Sequence, residues 1–210
     1  MAHSFYLEQF QQTINEYKDG TLLLLHSCCA VCSSSVIEQL SSKFSVTVFF
    51  YNPNIFPREE YILRREQQIR LISLLPAPFG ITYIEQDDGY DCFLDHISGY
   101  ESQPEGGSRC ALCFDLRLQA TARRAKECAI ELFTSTLTVS PHKSAHAVNI
   151  AGQLAAEQYG VRWLASDFKK QGGYLRSVKL SEQYNIYRQR YCGCSFSLQR
   201  NSAGMEGNEN

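Results

Sequence analysis

The chain has 210 residues, 44% of them hydrophobic and 20% charged, with a formal net charge of −2 at pH 7. That length supports one globular domain burying roughly 70% of its unfolded surface, so no staple is needed for folding. The longest apolar runs, Leu22 to Leu25 and Cys128 to Phe133, fall far short of the ~18 residues of a membrane helix, and MAHSFYLEQF lacks the start of a secretory signal, so the expectation is a cytoplasmic protein.

Phe5, Phe10, Ile14 and Tyr17 recur at helical spacing and predict a short amphipathic helix over 5–17, ended by Asp19-Gly20. Thr21 to His26 is an apolar run suited to a strand buried on both faces. A turn carrying Cys28 and Cys29 leads into a helix over 30–42, and SVTVFFY at Ser45 to Tyr51 predicts a second strand. Asn52-Pro53-Asn54 breaks it, and Pro57 suits the first position of a helix running to Leu75. A third strand is expected over Ile81 to Glu85, a short helix near Asp91 to Ile97, and a loop over Ser102 to Ser108. Then come a helix over 110–127, a strand over 129–139, a helix over 144–159 and a final strand over 161–166. The stretch NSAGMEGNEN is small and polar, so residues 199–210 are expected to be disordered.

Alternating strands and helices predict a Rossmann-like three-layer α/β/α fold with a mostly parallel sheet of about five strands. Ligands in such sheets bind beyond the carboxyl ends of the strands, where strand order reverses. Cys28 and Cys29 fall at the carboxyl end of the first strand, where phosphate loops commonly sit. SCCAVCSSS has neither GxGxxG nor GxxxxGK[ST], so a thiolate site replaces nucleotide binding there. Charge is segregated as well. Residues 71–108 carry no Lys or Arg, whereas Arg109, Arg117, Arg123, Arg124 and Lys126, then Lys169, Lys170, Arg176, Lys179, Arg188 and Arg190, gather beyond them. Such segregation builds either a positive face for a polyanion or ordinary solvated helix faces.

Nine cysteines without an export signal point to metal or redox chemistry in a reducing compartment. Cys110-Ala111-Leu112-Cys113 is open to a zinc half-site, an iron–sulfur half-site or a dithiol, and a helix start there would favour thiolates. Cys28 and Cys29 have no spacer and diverge, which suits separate iron corners of a [4Fe–4S] cubane better than one small zinc ion. Cys32, one turn after Cys28, is either a ligand of a second adjacent metal, a proton donor or a structural thiol. Cys92 and Cys128 are isolated, and Cys128 is expected in the core. Cys192-Gly193-Cys194 would close a small strained ring, the profile of a redox-active pair, although C-x-C also occurs in metal sites.

HSCCA at His26 to Ala30, FFYNPNIFPREEYILRREQ at Phe49 to Gln67, RCALCFDLRL at Arg109 to Leu118, TLTVSPHKS at Thr136 to Ser144, SDFKKQGGYLRSVKLS at Ser166 to Ser181 and YCGC at Tyr191 to Cys194 together resemble the QueH family. These are the cobalamin-independent epoxyqueuosine reductases of tRNA queuosine biosynthesis. The resemblance runs from about residue 21 to 198. It implies an iron–sulfur reductase domain over 21–198, with 1–20 a helical extension.

The resemblance further implies an oxidoreductase for the last step of queuosine synthesis, in which the epoxide at the tRNA wobble position becomes an alkene. It implies Cys28, Cys29, Cys110 and Cys113 as [4Fe–4S] ligands and Cys192 and Cys194 as a redox-active dithiol. It also implies a second metal, an iron, with Cys32 as a candidate ligand, tRNA as substrate and an external electron donor. Family members commonly follow the vicinal pair with Ala-Pro, whereas this chain has Ala30-Val31-Cys32. Tyr191, Asp167 and Cys32 are candidate proton donors. Lys169, Lys170 and Arg176 around Gly172-Gly173 suit tRNA phosphates, and nearby tyrosines suit stacking on a base. The alternatives are a zinc-stabilised RNA-binding module and another iron–sulfur tRNA-modifying enzyme. A thiolation enzyme of the latter kind needs an SGGxDS loop, which SCCAVCS is not.

Overall fold

The computed structural model of the chain describes residues 2–198. Five strands, β1 (Thr21–His26), β2 (Phe44–Phe50), β3 (Ile81–Glu85), β4 (Leu132–Ser135) and β5 (Arg162–Trp163), form one sheet in the order β3-β2-β1-β4-β5. Every pairing is parallel, with Leu24 of β1 opposite Thr47 of β2 and Phe133 of β4. The helices are α1 (Ala2–Glu16), α2 (Ala30–Ser41), α3 (Arg58–Leu74), α4 (Gly89–His96), α5 (Ser108–Glu127), α6 (Ala145–Tyr159) and α7 (Gly173–Gln183). This is the three-layer α/β/α architecture expected from the alternation of strand and helix patterns.

The all-apolar β1 is explained by its place at the centre of the sheet. Leu23 and Leu25 join one core with Val36, Ile37 and Leu40 of α2, Leu71 of α3 and Phe10 of α1. Leu24 points the other way, into a second core with Leu118 of α5, Val148 and Ala155 of α6, and Trp163. A period-two strand covered by helices on both faces must be apolar at consecutive positions. Among the described residues, no helix is long and apolar enough to cross a membrane.

Several boundaries differ from expectation for identifiable reasons. The strand expected over 129–139 is confined to Leu132–Ser135. Ala129 has φ 54° at the end of α5, and the Ser135 hydroxyl accepts from Leu137 N–H, starting a 3-10 turn over Thr136–Val139. The strand expected over 161–166 shortens to Arg162–Trp163 because Ser166 N–H turns to the Asn149 side chain (3.0 Å). Pro57 caps α3 rather than opening it. Cys128, expected in the core, is exposed: it ends α5, and Ile130 takes the buried position instead. Phe5 is likewise exposed, while Phe10 of the same helix packs edge-on against Phe168 at 5.6 Å. The tail 199–210, expected to be disordered, lies outside the described residues.

α6 approaches the sheet closely at Gly152, where a Cβ would collide with the Trp163 indole. The indole is fixed from its other end by Nε1–H donating to Asn149 Oδ1 at 2.9 Å. Gly152→Ala is therefore expected to lose about 1–3 kcal/mol through overpacking. Trp163 is the sole tryptophan, so its fluorescence in a urea titration reports this as a lower midpoint at unchanged slope.

Candidate functional site

The chain runs from β1 to β2 and β3 on one side, then returns to place β4 and β5 on the other. The strand order therefore reverses between β1 and β4. The cysteine turn after β1 opens at this point. Cys29 is the N-cap of α2, its Sγ accepting from Cys32 N–H at 3.5 Å. Thr136, just beyond β4, accepts from Cys28 N–H (3.0 Å) and donates to Cys28 Sγ (3.3 Å). The Sγ atoms of Cys28, Cys29 and Cys32 all lie within 4.8 Å of one another.

Cys110 and Cys113 occupy the start of α5. Gly106 N–H donates to Cys110 Sγ at 3.2 Å, and Cys113 is buried one turn on. They do not enter the compact trio of Cys28, Cys29 and Cys32. That trio lines a cavity of about 510 Å³, whereas Cys110 and Cys113 line an adjoining one. The two cavities share Arg117, Lys143, His142, Glu105 and Cys192 as walls. Cys192 thus faces both groups of thiols. Cys194 lines the second cavity beside Cys192, Cys110 and Cys113, and packs there against Phe93 and Ile97.

The sulfurs are ringed by donors and cations. Arg117, 2% exposed, reaches Asn52 Oδ1 (2.5 Å), His26 Nε2 (3.3 Å) and Cys113 Sγ (4.0 Å). Asn52 in turn donates to Ser27 O at 2.8 Å, so the NPN sequence after β2 braces the cysteine turn. Gln189 Nε2 donates to Cys29 Sγ at 2.9 Å. Hydrogen bonds from the Cys29 and Cys32 thiols, with Lys143 and Arg117 nearby, hold the Cys28 thiol well below its ordinary range. The Cys28 bond pushes Cys29 up to about 12, and its bonds to Cys28 and Cys29 raise Cys32 well above the usual value. Of the three thiols, Cys28 is the one most readily ionised. Burial pushes Cys113 up to about 12 and Cys194 up to about 11. Burial opposes the charge of Lys143, but the Cys192, Cys28 and Cys32 sulfurs outweigh it and raise its pKa. Burial and the Arg117 charge pull His26 down to about 3, so its imidazole is neutral.

These donors fit a soft, sulfur-ligated metal group. Hydrogen bonds from Thr136, Gln189 and the Gly106 backbone to sulfur, and cations beside it, stabilise thiolates and tune the metal they hold. The roles of Arg117, Lys143, Gln189 and Thr136 do not follow from the cysteine motifs. Arg117 alone had a local signal, four residues after Cys113 on the same helix face. Among the expected proton donors, Asp167 pairs with Lys169 at 3.1 Å and does not line either thiol cavity, while Tyr191 donates its hydroxyl to Phe56 O. Of the cations expected to meet phosphate, Lys169 is held by Asp167 and Arg176 by Glu38, the latter at 2.5 and 2.7 Å. Arg188 and Arg190 line the 510 Å³ cavity instead.

Comparison with known proteins bears on the same residues. The family model described as epoxyqueuosine reductase QueH matches residues 23–200. The chain is 42% identical over 177 residues to the epoxyqueuosine reductase QueH of Streptococcus pyogenes serotype M1, covering 83% of this chain and 69% of that one. Identity to the Haemophilus influenzae QueH is 40% over 194 residues, covering 91% and 78%. To the Thermotoga maritima QueH it is 35% over 181 residues, covering 85% and 91%. With a match that runs from within β1 past β5 and takes in every site cysteine, the chain belongs to the QueH family of epoxyqueuosine reductases.

Proposed function

We propose that this chain reduces the epoxide of epoxyqueuosine in tRNA to the alkene of queuosine, using a [4Fe–4S] cluster on Cys28, Cys29, Cys110 and Cys113 and a dithiol, Cys192 and Cys194. The reading rests on family membership and on one observation: Cys192 forms part of the wall of both thiol-lined cavities. When bound, the cluster supplies single-electron transfer. Turning an epoxide into an alkene and water consumes two electrons and two protons. Closing a disulfide between Cys192 and Cys194 releases two of each, and an external electron donor then restores the thiols. Cys32, whose sulfur lies within 4.8 Å of those of Cys28 and Cys29, is in this reading a ligand of a second iron.

The other residues prepare the site for an anionic substrate in a cytoplasmic setting. Lys143 and Arg117 offset thiolate charge in the cavity walls. Arg188 and Arg190 suit the tRNA backbone, and Tyr174 and Tyr191, which line the same cavity, suit stacking on an extruded base. Residues 21–198 form the reductase unit in this reading, with the first helix outside it.

A second reading, a zinc-stabilised RNA-binding module, draws on the Cys28, Cys29 and Cys32 sulfurs, whose mutual spacing within 4.8 Å suits one ion. Anaerobic purification with iron and sulfide counts separates the two. A brown protein with four irons and four sulfides per cluster supports the cubane, and a colourless zinc protein overturns it. In cells, tRNA from a deletion strain should accumulate epoxyqueuosine, and a normal queuosine content would end the proposed activity.

Three substitutions test the residue roles. Cys110→Ser should lose iron and visible absorbance, and a full brown cluster in that variant contradicts the ligand assignment. Cys194→Ser should keep the cluster and lose multiple turnover with the physiological donor. Arg117→Gln removes the guanidinium contact to Cys113 and should lower iron affinity or activity by roughly 10- to 100-fold, measured by iron retention under a chelator.

A further inference from the structure

We infer that Arg64, held by Glu60, is a positioning residue that sets the thiol–disulfide equilibrium of Cys192 and Cys194; the inference rests on the dithiol reading above. Arg64 lies on α3, far in sequence from the C-x-C segment, and its side chain is 2% exposed. A guanidinium that deep is stable only where its donors are met. Nε pairs with Glu60 at 2.7 Å, Nη1 donates to Cys192 O at 3.1 Å and Nη2 to Tyr191 O at 3.2 Å. The planar fork of arginine matches two successive carbonyls, which the single ammonium of lysine does not. The next carbonyl, of Gly193, is taken by Phe56 N–H at 2.8 Å. Three consecutive carbonyls around the dithiol are thus bound to α3 and the loop before it.

The grip extends to both sides. Glu60 Oε2 accepts from Tyr187 OH at 3.0 Å, and the Arg64 guanidinium sits 5.1 Å from the centre of the Tyr191 ring. Beyond the dithiol, Ser195 N–H donates to Tyr90 OH at 3.1 Å. Gly193 itself adopts φ +134°, and a Cβ there would come within 3.2 Å of Arg64 Nη1, Asn54 Nδ2 and Ile55 Cγ1. The segment is seated so closely that only glycine fits between the two cysteines. Closing the Cys192–Cys194 bond, with loss of two protons and two electrons, takes place on a backbone whose carbonyls are fixed. A loosened backbone samples more arrangements in which the sulfurs are apart, so the disulfide forms less readily.

The test uses the full, anaerobically iron-loaded chain equilibrated with mixtures of oxidised and reduced glutathione, oxidised glutathione accepting the two electrons. Alkylation and mass spectrometry then give the fraction of the Cys192–Cys194 disulfide. Arg64→Lys retains a cation beside Glu60 but loses the fork, and Gly193→Ala displaces the same contact from the other side. Each should keep its iron and lower the equilibrium constant for the disulfide roughly tenfold, a rise in potential of about 30 mV. Iron-replete variants within twofold of the parent overturn the inference. If Arg64→Lys loses its iron, Gly193→Ala alone decides. If that chain loses iron too, the contact is an element of the fold and the inference is likewise overturned. Wild-type turnover by Cys194→Ser would end the dithiol's part in the reaction yet leave this equilibrium measurable, so the two failures are told apart.

Discussion

A buried positive charge organises the site. Arg117 enters from α5 and ends among Asn52, His26 and Cys113, with almost no contact with water. Among the described residues no carboxylate pairs with it; its neighbours are a neutral imidazole, an amide and sulfur. Desolvating a guanidinium costs several kcal/mol unless its surroundings answer the charge. Here that answer comes from polar acceptors and from the nearby Cys28 sulfur, whose pKa Arg117 in turn helps to lower. Because the same side chain lines both cavities, it ties the turn after β1 to the first turns of α5.

The sheet explains why thiols collect there. In doubly wound folds the reversal of strand order leaves a crevice at the carboxyl ends of the strands, and helices begin beside it with N–H groups pointing inward. That geometry favours a negative group. In this chain the favoured groups are sulfurs: Cys29 caps α2, while Cys110 accepts from Gly106 N–H at the start of α5. A glycine-rich phosphate loop needs space for a ligand above the backbone. SCCAVCSSS fills that space with side chains that can themselves be ligands.

The C-terminal segment completes the crevice without adding a strand. It crosses the mouth as an irregular strap from Tyr187 to Cys194, held through backbone carbonyls by Arg64 and through the Gln189 side chain at Cys29. Arg109 supports the same region, donating to Glu101 O at 2.6 Å and lying 4.4 Å from the centre of the Phe196 ring. Contacts made through carbonyls constrain backbone position more than side-chain identity, which is why the strap can bring two thiols to a defined place.

Local pattern was enough to locate β1, β2 and β3, the major helices and the cysteine turns, since each depends on period, capping or breaker residues within a few positions. It was also enough to place Cys32 one turn from Cys28. It misled at Cys128, where an apolar residue type at a helix end was read as core, and at β4 and β5, where side-chain bonds from Ser135 and Asn149 end the strands early. What sequence by itself determined, then, was the alternation of elements and the thiol motifs, while the point where strand order reverses came from the sheet itself. Only the tertiary structure decided which cations face those thiols: Lys169 and Arg176 go to Asp167 and Glu38, while Arg64, Arg117 and Lys143 turn inward. The reason is that a charge finds its partner by distance in space, and residues 64 and 192 become neighbours only once the chain has closed over the sheet.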